Sequence, residues 1–494
     1  MEQGFSAPLR STWPPMTDSA WTSAFTGVNP GRHGIFGSWY RAPGAYACRY
    51  FSARDRSAPA LWELADAVRF LVWNVPMTYP PAPVDGVMVA GYGAPPGSRF
   101  CEPSSIQEEL AARWDLDDLL DRAPRSSLDA FLDELVRGLR AQAEALVWLG
   151  ERDDADCVVA VWPQVDRAQH FLWGSSSGGP AEAIGRVYDA IDDATRTVVE
   201  AWPNADVVVV SDHGAGPLHG DVDLGAWLVG RGHAVSRPER SRPLLDLVWA
   251  LPPQVRRAGR RLAPRLARRA FGSTLTGQLG AFDWARTRAF LGFQGDLWVN
   301  LRGREPLGCV DEDDADALLA ELDSELAELR DPRTGERVIA ATHRRDEVYS
   351  GPHSGLAPDV MVDAWSAGYR VAPRRAAYGA VVVPPAPLAG VPAAWSSDHR
   401  PVGVFVAAGP RIARGRAEEL SLVDVCPTVL GLLERAVPGD LDGRPVVEAI
   451  EPRWLERHPV ATGDTTRARP TSGDYSADEA DAVAAHLRDL GYID

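Results

Sequence analysis

The chain has 494 residues, 45% of them hydrophobic and 24% charged: enough for one large α/β domain with insertions or two to three ordinary domains, and too apolar for a long disordered span. A formal net charge of −17 argues against nucleic-acid duplex binding. Five cysteines (Cys48, Cys101, Cys157, Cys309, Cys426) show no metal or disulfide spacing, no apolar run reaches the ~18 residues of a membrane span, and "MEQGFSAPLR" lacks a signal-peptide pattern, so a cytoplasmic protein is expected.

In chain order, "PPMTDSAWTSAFTG" (14–27) predicts a loop feeding a short helix, with Ala20, Trp21, Ala24 and Phe25 at helical spacing and Gly27 to end it. The proline-rich "NVPMTYPPAPVDG" (74–86) predicts a loop on a pocket wall, with Asn74 and Tyr79 as candidate substrate contacts. Short valine-rich runs at 157–162, 206–211, 357–365 and 403–409 predict buried parallel strands. Between the first two, Ile184, Val187, Tyr188, Ile191, Val198 and Trp202 share one helical face, which makes a βαβ unit. The predicted fold is α/β, a doubly wound, mostly parallel sheet flanked by helices.

Residues 236–282 break the rhythm, and seven arginines crowd 256–269. The chain then reads as a small α/β piece over 286–350. The expected organisation is a catalytic core of 1–235 and 355–452, an inserted lid of 236–354, and a linker with a C-terminal helix over 453–494. Ser476 and Glu479 would cap that helix and Gly491 would close it.

Chemistry-bearing residues collect where strands end, the place open α/β sheets bind ligands. "DRAQH" supplies Asp166 and His170 after one strand, and "SDHG" supplies Asp212, His213 and Gly214 after another. "SSDHR" adds His399, which would reach the crevice from a loop. Carboxylates with imidazoles suit zinc and similar metals, with manganese or iron as alternatives. Taken singly each has an ordinary explanation: a turn, a solvated helix start, a surface histidine. For Thr17 the ordinary role is a helix N-cap.

The order Thr17, D-x-x-x-H, D-H-G and a late histidine resembles the alkaline-phosphatase superfamily. More narrowly it resembles the type I phosphodiesterase/nucleotide pyrophosphatase group and its phosphohydrolase/phosphomutase branch. The stretches "PLRSTWPPMT", "AWTSAFTGVNPGRHGIF", "NVPMTYPPAPVDGVMVAGY", "TRAFLG", "VNLRGREPLG", "APDVMVD", "DVCPTVLGLL" and "LRDLGYI" extend the likeness over nearly the whole chain.

The resemblance implies hydrolysis of a small-molecule phosphodiester or pyrophosphate through a phospho-threonine intermediate on Thr17. It implies two divalent metal ions, usually zinc: one held by Asp166, His170 and His399, the other by Asp212 and His213 and touching Thr17. A phosphotransferase or phosphomutase, or an inactive phospho-ligand-binding relative, would share these residues. Two departures matter. Ala20 stands where nucleotide-cleaving relatives carry asparagine, leaving backbone amides or Thr22 as phosphate donors. An N-terminal strand ending in Asp-Gly, whose Asp would complete the second metal site, has no counterpart, so Met1 is expected to be internal to a longer gene product; Asp18 is the nearest carboxylate that could substitute.

Overall fold

The computed structural model describes residues 4–41, 44–46, 48–95, 97–119, 127–173, 180–236, 282–292, 295–371, 380–385, 395–464, 479 and 482–483. The arginine-rich stretch, Ser476 and Gly491 lie outside them.

The chain enters with β1 (Phe5–Arg10) and, after a loop, forms α1 (Thr17–Thr26). This helix buries Ala20, Trp21, Ala24 and Phe25. It stops at Gly27, whose φ of 70° is the left-handed conformation glycine adopts without a Cβ penalty. β2 (Phe70–Trp73) is buried along its whole length, as a strand covered on both faces must be. β3 (Gly86–Val89) runs parallel to it, and β4 (Cys101–Glu102) adds antiparallel to β3. The long α2 (Leu128–Asp153) starts where the Ser127 hydroxyl accepts from the Ala130 amide at 3.2 Å, and it buries Leu132, Leu135, Leu139, Leu146 and Leu149. β5 (Cys157–Ala160) then pairs parallel with β2 on the side away from β3. After it come α3 (Gln164–Leu172), α4 (Pro180–Ala201), β6 (Val207–Val210) and β7 (Gly214–Pro217).

A second core forms around β8 (Ala289–Leu291), β9 (Asp296–Val299), α5 (Glu312–Ala327), β10 (Ala341–Arg344) and β11 (Val360–Asp363). The strands make an antiparallel sheet in the order β8-β9-β11-β10. Leu318, Leu322 and Leu326, four residues apart on α5, pack with Leu297, Val299, Val360 and Val362. The run at 357–365 therefore belongs to this sheet, not to the core sheet expected from its valines.

The chain returns to the first core with β12 (Ser397–Arg400), antiparallel to β7, then β13 (Val402–Ala408) and α6 (Val425–Leu432). β13 lies between β1 and β6, antiparallel to both. Two sheets result: β4-β3-β2-β5, and one in which β6, β13 and β1 lead on to short strands at Gly415–Arg416 and Leu420–Ser421. The α/β architecture holds, but the pairing is mixed. Only the run at 157–162 has a parallel neighbour; those at 206–211 and 403–409 pair antiparallel with each other. β5 and β6 each end a sheet, and among the described residues no strand joins them.

Candidate active site

β5 runs out into α3, which places Asp166 in its first turn and His170 one turn later on the same face, with His170 Nε2 3.2 Å from Asp166 Oδ1. β6 ends just before Asp212 and His213, whose Nε2 lies 3.2 Å from Asp212 Oδ2. His399 arrives on a strand, not on the expected loop: β12 pairs with β7 so that His399 faces Ala215 and Arg400 faces Gly214. Its ring stacks on His213 at 3.6 Å between centroids. Its Nε2 sits 3.2 Å from His170 Nε2 and 3.7 Å from Asp166 Oδ1. Glycine follows His213 for space rather than for an unusual φ, because a Cβ at Gly214 would lie 2.2 Å from the Val402 carbonyl oxygen.

Backbone carbonyls fix all three rings. His170 Nδ1 lies 3.0 Å from the Ser397 oxygen, His399 Nδ1 2.7 Å from that of Pro15, and His213 Nδ1 3.0 Å from that of Gly214. A carbonyl can only accept, so each Nδ1 donates and each neutral ring turns the lone pair of Nε2 toward the cluster. This outer arrangement is the one metal-ligating imidazoles use. His213 Nε2 and Asp212 Oδ2 are buried and, despite their proximity, make no aligned hydrogen bond. Asp166, His170 and His399 each offer a ligand atom within 4.8 Å of the others. The donor set of Asp166, His170 and His399 suits a divalent cation, which would take the place of the proton that His170 shares with its neighbours, and Asp212 and His213 offer two further ligand atoms beside it.

Burial alone would push the Asp166 carboxyl up, but the neighbouring His170 outweighs it and holds it well below the usual carboxylate range. Burial works against a charged His170, yet Asp166 raises its pKa. Burial, followed by the adjacent His213, keeps His399 neutral. Asp212 is pushed up to about 6, chiefly by burial.

Thr17 is the first residue of α1. The cap position is Met16, which makes no side-chain capping bond, so the ordinary N-cap role for Thr17 does not apply. Thr17, Asp166, Asp212 and His213 all line one cavity of about 1480 Å³. The His399 bond to Pro15 ties the cluster to the loop two residues ahead of Thr17. Two suggested auxiliaries are engaged elsewhere: the Thr22 hydroxyl donates to the Asp18 carbonyl at 2.6 Å, and the Asp18 carboxyl hydrogen-bonds Ser38. Ala20 is fully buried.

Asn74 and Tyr79 are not among the residues lining this cavity. Asn74 sits at φ 55° with its Nδ2 donating to Gln142 Oε1 at 3.3 Å, and Tyr79 packs into the main hydrophobic core. Their loop is bound by internal contacts. Sequence reasoning missed Trp395, whose ring lies 4.1 Å from that of His170, and the three orienting carbonyls. Carbonyls leave no residue-type signal, and a tryptophan four residues before a histidine reads as core.

The strand-end cluster on this α/β scaffold defines a hydrolase acting on phosphoester bonds. The chain belongs to the type I phosphodiesterase/nucleotide pyrophosphatase family, whose model matches residues 1–376. No curated protein matches it. Solved structures similar to it include an inactive murine ectonucleotide pyrophosphatase/phosphodiesterase 5 in complex with AMP, at 11% identity and a TM-score of 0.50, covering 91% of this chain and 92% of that one. The human counterpart has 10% identity and a TM-score of 0.48, with coverage of 91% and 92%. Wild-type alkaline phosphatase PafA has 13% identity and a TM-score of 0.48, again with 91% and 92% covered. At these identities the likeness is one of fold.

Proposed function

We propose that this chain is a divalent-metal-dependent phosphodiesterase or pyrophosphatase that works through a covalent phosphoryl ester on Thr17. One observation carries the reading: Asp166, His170, Asp212, His213 and His399 converge from three separate stretches beside a cavity that Thr17 also lines. Asp166, His170 and His399 would hold one cation, and Asp212 with His213 a second. Bound there, the cations supply Lewis acidity and charge neutralisation for phosphoryl transfer. The Thr17 hydroxyl gives up its proton to solvent and attacks phosphorus, and the bond to the leaving group breaks on the opposite side, releasing an alcohol that takes up a proton from a diester, or a phosphate from a pyrophosphate. Water then attacks the ester from that side and releases Thr17. The first-turn amides of α1 precede its first intrahelical bond and offer hydrogen bonds to the phosphoryl oxygens.

The AMP complex of the murine relative makes nucleotidyl esters worth including among substrates, although Ala20 provides no side-chain donor for them. The five cysteines are unpaired thiols, which supports a reducing compartment. The test is hydrolysis of bis-(p-nitrophenyl) phosphate by zinc- or manganese-loaded protein. Thr17→Ala is expected to lower kcat by about 10³-fold or more while metal content is unchanged. Equal rates would remove Thr17 from the mechanism.

A further inference from the structure

The loop that delivers Thr17 contains a proline pair, which limits how it can be held. Pro14 and Pro15 have no amide hydrogen, so only their carbonyls can anchor the backbone there. All three carbonyls of Trp13, Pro14 and Pro15 are engaged. That of Pro14 accepts within the loop, from the Met16 amide at 2.8 Å and the Thr12 hydroxyl at 3.2 Å. That of Pro15 faces His399 Nδ1 at 2.7 Å, which ties the loop to the imidazole cluster. That of Trp13 accepts from far along the chain: the Tyr349 hydroxyl donates to it at 2.6 Å.

Tyr349 lies between β10 and β11 of the second core. It follows the helical turn Arg345–Val348, and its amide bonds back to the Arg345 carbonyl at 2.9 Å. Its ring meets Phe36 edge to face, 5.1 Å between centroids, and packs with Ile35, Phe51 and Met361. Only 4% of the residue is exposed, so its hydroxyl needs a partner inside the protein, and the Trp13 carbonyl supplies one. Burial pushes the phenol pKa up, so the hydroxyl keeps its proton and remains a donor throughout the neutral range. β10 adds a second hold, with the His343 ring 4.2 Å from that of Trp13. His343 stands opposite Met361 in the sheet, so both holds on Trp13 come from one part of the second core.

With Thr17 as the nucleophile, on which this assignment rests, we infer that Tyr349 is a positioning residue: through the Trp13 carbonyl it sets where the Thr17 hydroxyl stands relative to the imidazole cluster. Between Trp13 and Thr17 stand only Pro14, Pro15 and Met16, and the two proline rings lock φ. A shift at Trp13 therefore carries through to the start of α1 instead of being absorbed by local rotation. His399 grips the loop from the cluster and Tyr349 grips it from the second core, so the nucleophile is fixed between them. A nucleophile misplaced by about 1 Å can cost on the order of a hundredfold in rate, so the loss of one of these two grips is readable in kinetics.

The test uses the full metal-loaded chain carrying Tyr349→Phe, which removes the hydroxyl and keeps the ring. For bis-(p-nitrophenyl) phosphate, kcat/KM is expected to fall about tenfold or more, while the inhibition constant of inorganic phosphate and the metal content stay within about twofold of the parent. That split marks a misplaced nucleophile, because general damage to the site would move all three. Leu318→Ala serves as the comparison: it opens a cavity in the second core among residues that do not touch Tyr349. It should lower the melting temperature more than Tyr349→Phe does and keep kcat/KM within about twofold. A parental kcat/KM in Tyr349→Phe, phosphate affinity or metal content falling in step with it, or an equal loss in Leu318→Ala would overturn the assignment. Thr17→Ala tells the two failures apart. If it keeps the parental rate, the nucleophile is elsewhere and the role of Tyr349 falls with it; if it is inactive while Tyr349→Phe is unimpaired, the positioning role alone is removed.

Discussion

A threonine hydroxyl is a weak nucleophile at neutral pH, so the proposed reaction places the whole demand on what surrounds Thr17. The three imidazoles contribute through their fixed orientation: with Nδ1 committed to the carbonyls of Ser397, Gly214 and Pro15, each Nε2 is turned into the cluster, where a cation would meet it. His399 is the sharpest probe of this scale, because it touches both His170 and His213. His399→Ala is expected to lower bound metal from two equivalents to one or fewer per chain, read by elemental analysis after dialysis, with at least a hundredfold loss in kcat. Unchanged metal content would mean that its Nε2 serves another purpose. Asp166 and His170 were legible in the sequence because a spacing of four forces a shared helical face. Asn74 is buried at positive φ and bonds to Gln142 away from the cavity lining, a placement that its sequence context, a polar residue in a proline-rich loop, does not announce.

At the scale of elements, the site depends on a short antiparallel pair, β7 with β12, that brings His399 against His213. Gly214 permits that approach. Gly214→Ala would place a methyl group in the Val402 carbonyl, and we expect a stability loss of about 1–3 kcal/mol by denaturant titration, together with a kcat loss larger than the instability explains. Wild-type activity in that variant would mean that the strand pair shifts without moving the rings. The polar "SDHR" of β12 carries no apolar alternation, which is why the sequence suggested a loop there. A clip holds the chain at His219 against the second core. Asp331 accepts from Arg333 at 2.6 Å and from the Tyr369 hydroxyl at 3.0 Å, while Arg333 also donates to the His219 carbonyl at 3.0 Å. The Arg333 hydrogen bond draws the Asp331 carboxyl down to about 2. A depressed carboxylate stabilises the fold fully above its unfolded pKa near 4, and that contribution fades as pH falls toward 2. Melting scans between pH 5 and pH 2 should show a shallower decline for Asp331→Asn than for the parent; parallel curves would show that the clip adds nothing.

For the molecule as a whole, the valine runs conveyed the α/β class but not the pairing. A buried strand has the same composition whether its neighbours run parallel or antiparallel, and the run at 357–365 could not declare that it belongs to a second sheet. Tyr188 shows the reverse case. Its helical spacing assigns it to the core, yet it stands half-exposed because the face it belongs to borders the cavity between β5 and β6.

The central claim, that Thr17 carries the phosphoryl group during turnover, is tested most directly by acid-quenching the metal-loaded enzyme at steady state with bis-(p-nitrophenyl) phosphate and mapping tryptic peptides by mass spectrometry. The account predicts a substrate-derived phosphoryl ester on the peptide spanning residues 11–32, localised to Thr17 and absent from Thr17→Ala. Modification at any other residue, or turnover with the peptide left unmodified when its hydrolysis has been slowed, would contradict it.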